Sequence, residues 1–129
     1  MTKLDINIDD EFGLIRVTPA QAITVEDACA AIKDIIDTPG FEKGLPSIWD
    51  LRHTELMHIN ADDIKVISEV ANSFKEQRGA ARIAFIVNTD LAYGLGRMFQ
   101  LINDTSHIDA RVFRRYEDGE SWALGHDAI

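Results

Sequence analysis

The first residues alternate between apolar and polar side chains and predict a β-hairpin. Residues 4–8 follow the period of two that is typical of a half-buried strand. Polar residues 9–11 then form a turn, and the run Gly-Leu-Ile-Arg-Val at 13–17 forms the antiparallel partner. Pro19 has no N–H to donate to a ladder, so the second strand is expected to end near it.

Farther along the chain, spacings of three and four residues between apolar positions predict four helices. Polar caps begin the first three, and proline or glycine ends the first two. The caps are Thr24, Asn60 and the run Asn88-Thr89-Asp90, and the stops are Pro39, Gly40 and Gly79. A short closing helix covers 117–124. The stripes expected to face the core are Val25, Ala28, Cys29, Ile32 and Ile36; Ile64, Ile67, Ala71 and Phe74; and Leu91, Leu95, Met98, Phe99 and Ile102.

Three further apolar segments, 48–51, 82–87 and 110–113, predict the remaining strands of a sheet. The segment 82–87 is nearly continuous in apolar residues, as strands covered on both faces are. Trp49 and Trp122 are expected in the core. The order β-β-α-β-α-β-α-β-α predicts an α/β fold with a mainly parallel mixed sheet, whose one antiparallel strand comes from the hairpin.

Composition narrows the class of protein. The chain has 129 residues, 46% of them hydrophobic, so residues 1–129 are predicted to form a single domain. Thirteen Lys and Arg residues against 22 Asp and Glu residues give a net charge of −9, which disfavours nucleic acid and anionic membrane surfaces as partners. The chain shows neither an apolar leader nor a run of about 20 apolar residues, so we expect a cytoplasmic protein.

The order of elements and several short strings resemble the SpoIIAA-like branch of the STAS superfamily, which includes sulfate-transporter domains and bacterial anti-sigma-factor antagonists. The resemblance covers nearly the whole chain and implies the SpoIIAA-like fold in a bacterial protein. The strings are Gly13-Leu-Ile-Arg-Val17, Trp49-Asp50-Leu51, Ile83-Ala-Phe-Ile-Val87, Thr89-Asp90-Leu-Ala-Tyr-Gly-Leu-Gly-Arg-Met-Phe99, Val112-Phe113 and Glu120-Ser-Trp-Ala-Leu124.

The resemblance also has functional implications. Well-known members are phosphorylation-controlled binding modules, with the acceptor serine in an Asp-Ser-Ser/Thr-Gly string at the start of the helix after the third strand. Here residues 55–63 contain neither serine nor glycine, and the nearest hydroxyl belongs to Thr54. Anti-sigma antagonism is therefore not assigned. Other relatives in this branch are compared with lipid-binding Sec14-type domains, which implies that a small ligand is an alternative.

Two loops after the predicted parallel strands, 52–60 and 88–90, are the expected contact surface, because partners of open α/β sheets meet the carboxyl ends of strands. The alternative is that these polar residues only cap helices and face solvent. The candidate interaction residues are Asp50, Arg52, His53, Thr54, His58, Asn60, Thr89, Asp90, Tyr93 and Arg97.

Sequence motifs give little support for catalysis or metal binding. His58 and Asp62 are four residues apart and His53 is near, but no further ligand follows at a recognisable spacing, so neither a metal nor another cofactor is predicted. Cys29 lies on a predicted buried stripe, where the pKa of a thiol rises. Gly94 and Gly96 fall inside a helix, where close packing explains them better than phosphate binding does.

The leading hypothesis is a non-enzymatic, STAS-like protein-interaction or regulatory module. The alternative is a domain that binds a small molecule or lipid in an apolar pocket, and an acid-base hydrolase using His53 or His58 ranks third. A homodimer through the first strand, which is predicted to be a sheet edge, is a further expectation. The residues predicted to line the pocket are Met57, Phe74, Met98 and Phe99.

Overall fold

A computed structural model of the chain describes residues 4–56 and 58–126. These residues form seven strands and five helices. In chain order they are β1 (Leu4–Asp9), β2 (Leu14–Pro19), β3 (Ala22–Ile23), α1 (Val25–Asp37), β4 (Ser47–Asp50), β5 (Glu55–Leu56), α2 (Ala61–Ser73), α3 (Lys75–Arg78), β6 (Ala81–Ile86), α4 (Asp90–Ile102), β7 (Ile108–Phe113) and α5 (Tyr116–Ala123). The predicted order is confirmed, with the short elements β3, β5 and α3 added.

The main sheet has five strands in the order β1-β2-β4-β6-β7. The hairpin pair β1-β2 is antiparallel, and every other neighbouring pair is parallel, so the mixed, mainly parallel sheet is confirmed. As predicted, β1 lies at an edge and β6 in the interior. The sequence analysis missed a second, two-stranded parallel sheet, in which β3 pairs with β5. Each of its strands is only two residues long, too short to show a periodicity.

Side-chain caps fix the starts of the three long helices where the sequence predicts them. The Thr24 hydroxyl accepts a hydrogen bond from the Asp27 N–H at 3.2 Å, and the Asp27 carboxylate accepts one from the Thr24 N–H at 2.9 Å. Asn60 and Asp63 form the same reciprocal box before α2. Thr89 caps α4 through a single bond, so all three predicted boundaries are confirmed.

Helices cover both faces of the main sheet. The larger core lies between the sheet and the helices α1, α2 and α4, and it contains Trp49. A smaller core lies on the opposite face, where Trp122 of α5 packs with Ile48 and Ile86. Trp49 and Trp122 are 8% and 5% exposed, which confirms the core positions predicted for both. None of the described helices is long and apolar enough to cross a membrane.

Two of the predicted helical stripes need correction. In α1 the buried residues are Ala28, Ala31 and Ile35, whereas Cys29 is only half-buried. The buried face of α1 therefore differs from the predicted one: two of its three buried residues are alanines, and larger side chains of the predicted stripe lie at the sides of the helix. Helix α2 ends at Ser73, so Phe74 lies beyond it and is half-buried. Other half-buried members of these stripes are Val25, Ile32, Ile36 and Ile67.

The predicted stripe of α4 is wrong at both ends. Leu91 and Ile102 are 67% and 44% exposed. The predicted Leu95 and Phe99 are buried, which is confirmed, and Ala92 is buried beside them. Gly96 explains why a different face of α4 is buried. A Cβ at position 96 would lie 2.7 Å from a methyl carbon of Val112 on β7, so glycine lets the helix approach that strand closely. Close packing is thus confirmed for Gly96 but not for Gly94, where a Cβ would meet no described atom within 4 Å.

Candidate functional site

Asp50 and Arg52 of the predicted contact surface form an ion pair with each other. The Arg52 guanidinium donates through Nε and Nη2 to the two carboxylate oxygens of Asp50, both at 2.8 Å. These hydrogen bonds hold the pKa of Asp50 below its ordinary value and raise the pKa of Arg52. The guanidinium also lies 5.4 Å from the ring centre of Tyr116. Both charges are therefore engaged within the protein.

The predicted loop 52–60 is partly ordered by the small second sheet. Its residues Glu55 and Leu56 form β5, which pairs with β3. The hydroxyl of Thr54 donates to the carbonyl oxygen of Ala20 at 3.0 Å, and the residue is half-buried. His53 and His58 are exposed, and His58 has a φ of 55°. Thr54 thus helps to hold the loop in place, while the two imidazoles face solvent.

The other candidate residues lie in separate local pairs. Asn60 and Thr89 act as helix caps. Asp90 accepts from the Arg114 guanidinium at 2.8 Å, and that guanidinium lies 4.9 Å from the ring centre of Tyr93, while Arg97 pairs with Gln100. No group of three His, Cys, Asp or Glu side chains forms a metal-binding arrangement within residues 4–56 and 58–126. These candidate residues therefore form local pairs and helix caps, and their role as a contact surface stays a prediction.

An interior cavity offers a different site. It has a volume of about 110 Å³ and lies between the main sheet and the helices α1, α2 and α4. Its walls are almost entirely apolar. The lining residues include Ile35 of α1, Ala71 of α2, Leu95 and Phe99 of α4, and Trp49 and Ile83 of the sheet. Most cavities in protein interiors are smaller than this, because cores pack nearly as densely as organic crystals.

Arg78 is the main polar group in the wall of this cavity. The residue is only 5% exposed. Its Nη1 and Nη2 atoms have no hydrogen-bond partner among the described residues, although the guanidinium lies 5.6 Å from the ring centre of Phe41. Burial lowers the pKa of Arg78 to about 10, because a charged guanidinium loses its water there.

His107 is the second polar group of the wall. Both ring nitrogens, Nδ1 and Nε2, are buried and lack a hydrogen-bond partner in the part of the chain that the structure describes. Burial lowers the pKa of His107, and the positive charges of Arg78 and Lys75 lower it further. His107 also borders a wide groove on the outer surface. His107 therefore borders both the interior cavity and that groove.

Other buried polar side chains find partners, which sets Arg78 and His107 apart. Asn103, 1% exposed, donates to the Ser68 hydroxyl at 3.1 Å and accepts from Asn72 at 3.2 Å. In the cavity wall, the hydroxyl of Ser47 accepts from the indole N–H of Trp49 at 3.3 Å. Since buried polar atoms are nearly always paired in native proteins, the unpaired nitrogens of Arg78 and His107 are exceptions within the described residues.

Local chain geometry places Arg78 inside. It is the last residue of α3, the single turn that follows α2. Gly79 then turns the chain into β6 with a φ of 76°, and a Cβ there would lie 2.9 Å from the backbone nitrogen of Gly44. The N–H of Gly44 donates to the carbonyl of Arg78 at 2.9 Å. This close approach brings the 38–46 segment, with Phe41, over the guanidinium.

Arg78 and His107 lie at the opposite end of the sheet from the predicted contact surface. Arg78 precedes β6 and His107 precedes β7, at the amino ends of these strands. The contact surface at loops 52–60 and 88–90 stays a prediction. Of the predicted pocket residues, Phe99 lines the cavity, whereas Phe74 and Met98 do not, and Met57 lies outside the described residues. The sequence gives one weak indication of Arg78: it stands immediately before Gly79, which ends a helix. An arginine at such a position ordinarily faces solvent.

Comparisons with known proteins define the fold. No protein-family model matches the chain, and no curated protein matches it significantly. Its structure is similar to the crystal structure of an uncharacterised protein of the DUF3478 family from Shewanella loihica PV-4, described as having a SpoIIAA-like fold, with a TM-score of 0.57 and 14% sequence identity. The match covers 93% of this chain and 91% of the other. The chain has the SpoIIAA-like fold, as its sequence predicted.

Proposed function

We propose that this chain is a non-enzymatic binding protein that takes up a small molecule with an apolar part in its interior cavity. The cavity of about 110 Å³ is the observation that supports this proposal. An engineered cavity of about 150 Å³ with similar aliphatic and aromatic walls stays dry and binds benzene, so this volume suffices for a ligand of a few carbon atoms. The small-ligand alternative of the sequence analysis thus becomes the leading function.

Titration with 1-hexanol, followed by amide chemical shifts, tests this function. We expect saturable shifts at residues that line the cavity, such as Leu95 and Ile83. Ala71→Leu adds a branched side chain at a buried position in the wall and is expected to weaken binding at least tenfold. The matched control is Ala61→Leu, an exposed position on the same helix.

Two results would reject the cavity as a binding site. The first is the absence of saturable shifts in the wild-type protein. The second is equal affinity for 1-hexanol in Ala71→Leu and Ala61→Leu, which would place the alcohol on the outside of the protein. Circular dichroism of both variants checks that each retains the helix content of the wild type.

A regulatory role through a protein partner is the second proposal. One observation favours it: His58 is exposed and has a φ of 55°, a left-handed backbone conformation that is uncommon outside glycine and is concentrated at functional loops. Capture from lysate would compare the wild type with His53→Ala/His58→Ala. A protein bound by the wild type and by Ala71→Leu, but lost in the double variant, would support this role. Identical captured sets would reject it.

A further inference from the structure

We propose that the ligand is a monocarboxylate with a short apolar tail, whose carboxylate binds the Arg78 guanidinium and the His107 imidazole. This inference rests on the proposed function of the cavity. The tail lies among the apolar residues of the wall, and the head group lies at the amino ends of β6 and β7. Four properties of the cavity support this assignment.

The first property is the pair of unpaired donors on Arg78. A planar guanidinium offers parallel N–H groups that match the two oxygens of a carboxylate. Here Arg78 is one of the residues that line an apolar cavity. Its two terminal nitrogens are buried, and no described residue accepts a hydrogen bond from them. A carboxylate is the smallest group that satisfies both nitrogens at once.

The second property is charge. No acidic residue lines the cavity in the described part of the chain, although the whole protein has a net charge of −9. A positive charge buried without a partner is costly, and an anion that reaches it recovers that cost on binding. An uncharged alcohol or hydrocarbon gains only from the apolar walls. The cavity therefore favours anionic ligands, although the protein as a whole is acidic.

The third property is the imidazole beside the guanidinium. Neutral histidine has one N–H donor, and protonated histidine has two. His107 therefore adds one or two further donors for the same carboxylate. A phosphate ester has more oxygens and more charge than these two side chains can satisfy, so the chemistry of the wall favours a carboxylate.

The fourth property is size. The volume of about 110 Å³ is smaller than the cavity of about 150 Å³ that admits benzene, which limits the tail to roughly four to six carbon atoms. A long acyl chain does not fit. The structure therefore assigns this site to a short-chain or single-ring monocarboxylic acid.

The test is isothermal titration of the wild-type protein with hexanoate, 1-hexanol and hexyl phosphate at the same pH and ionic strength. We expect hexanoate to bind at least tenfold more tightly than either analogue. Arg78→Met replaces the guanidinium by an apolar side chain of similar length and is expected to weaken hexanoate binding about 10- to 100-fold, the effect of losing a charged hydrogen-bond pair. The same variant keeps its affinity for 1-hexanol.

Arg97→Met is the matched control, because it removes the same charge from an exposed position on α4. It is expected to bind hexanoate like the wild type. Arg78→Lys serves as a second variant in case Arg78→Met does not fold, since it keeps the positive charge but loses the bidentate geometry. It is expected to weaken hexanoate binding about tenfold.

The outcomes separate this inference from the proposed function. Equal binding of hexanoate and 1-hexanol, or unchanged hexanoate binding in Arg78→Met or Arg78→Lys, would overturn the carboxylate assignment and leave the cavity as a binding site. Tighter binding of hexyl phosphate would overturn it as well. If none of the three probes binds, the proposed function fails together with the inference.

Discussion

At the scale of single residues, Arg78 and His107 show how function and stability oppose each other. Buried polar groups elsewhere in this chain are paired, as Asn103 is with Ser68. The buried guanidinium of Arg78 instead has no hydrogen-bond partner for its terminal nitrogens among the described residues, and it lies over the ring of Phe41. A buried charge without a partner destabilises the ligand-free protein, which supports the proposed binding role.

Arg78→Met is expected to make the ligand-free protein more stable. Lowering the pKa of an arginine from its ordinary value to about 10 corresponds to a destabilisation of about 3 kcal/mol, and the lost contact with Phe41 is worth about 1 kcal/mol. The free energy of unfolding should therefore rise by about 2 kcal/mol, measured by urea denaturation. A loss of stability in Arg78→Met, with none in Arg97→Met, would show that the guanidinium has a structural role.

His107→Gln is expected to flatten the dependence of stability on acid pH. Because burial lowers the pKa of His107 below its ordinary 6.5, the unfolded chain binds a proton more readily, and the protein loses stability as the pH falls below 6.5. The contribution is small, because His107 as a whole residue is only half-buried and solvent partly screens its charge. Urea denaturation at pH 7.5 and 5.5 measures it, with the exposed His53→Gln as control. Equal pH dependence in wild type and His107→Gln would contradict the prediction.

At the scale of elements, the sequence predicted where helices begin more reliably than which face they bury. The caps at Thr24, Asn60 and Thr89 depend on hydrogen bonds to residues three positions later, so a short stretch of sequence is enough to predict them. The buried face of α4 depends on how closely the helix packs on β7. Gly96 allows this close packing, but a glycine does not show in a pattern of apolar side chains. A periodicity of apolar residues therefore pointed to Leu91 and Ile102, which are exposed.

The two glycines of α4 provide a matched test of this packing. Gly94→Ala is expected to stabilise the protein by about 0.5–1 kcal/mol, because alanine favours a helix and a Cβ there meets open space. Gly96→Ala is expected to destabilise it by about 1–3 kcal/mol, because the methyl group would overlap the side chain of Val112. Thermal unfolding distinguishes the two. A similar change in both variants would show that α4 does not pack closely on β7.

At the scale of the whole molecule, the layers follow from the sequence but the cavity does not. Alternation of strands and helices predicts a mixed, mainly parallel sheet, which is confirmed, but it does not predict the order of the strands within that sheet. Apolar patterns, however, state only which side chains turn inward, and they do not state whether those side chains fill the space between the layers. The site residues Arg78 and His107 are far apart in sequence and meet only after β6 and β7 have paired.

One side chain connects the hairpin to the helix on the far face. Arg16 donates to the Asp9 carboxylate at 2.9 Å, to the Glu120 carboxylate at 2.6 Å and to the Tyr116 hydroxyl at 2.7 Å. These bonds raise the pKa of Arg16 and lower that of Asp9. They attach α5 to the β1-β2 hairpin at the edge of the main sheet.

Arg16→Gln is expected to lower the free energy of unfolding by about 1–2 kcal/mol, because several charged hydrogen bonds are lost at once. Amide hydrogen exchange in α5 should accelerate along with it. The comparison is Lys33→Gln, which breaks the exposed ion pair with Asp37 and should change stability by less than about 0.5 kcal/mol. Equal effects of the two substitutions would contradict a connecting role for Arg16.

The position of His107 between the cavity and the outer groove has a kinetic consequence. A molecule that leaves the cavity on this side would pass the side chain of His107. Rotation of an aromatic side chain is far faster than local unfolding. Residence time in this protein would then be set by one ring, and a bulkier or smaller residue at position 107 would change the rate of exchange.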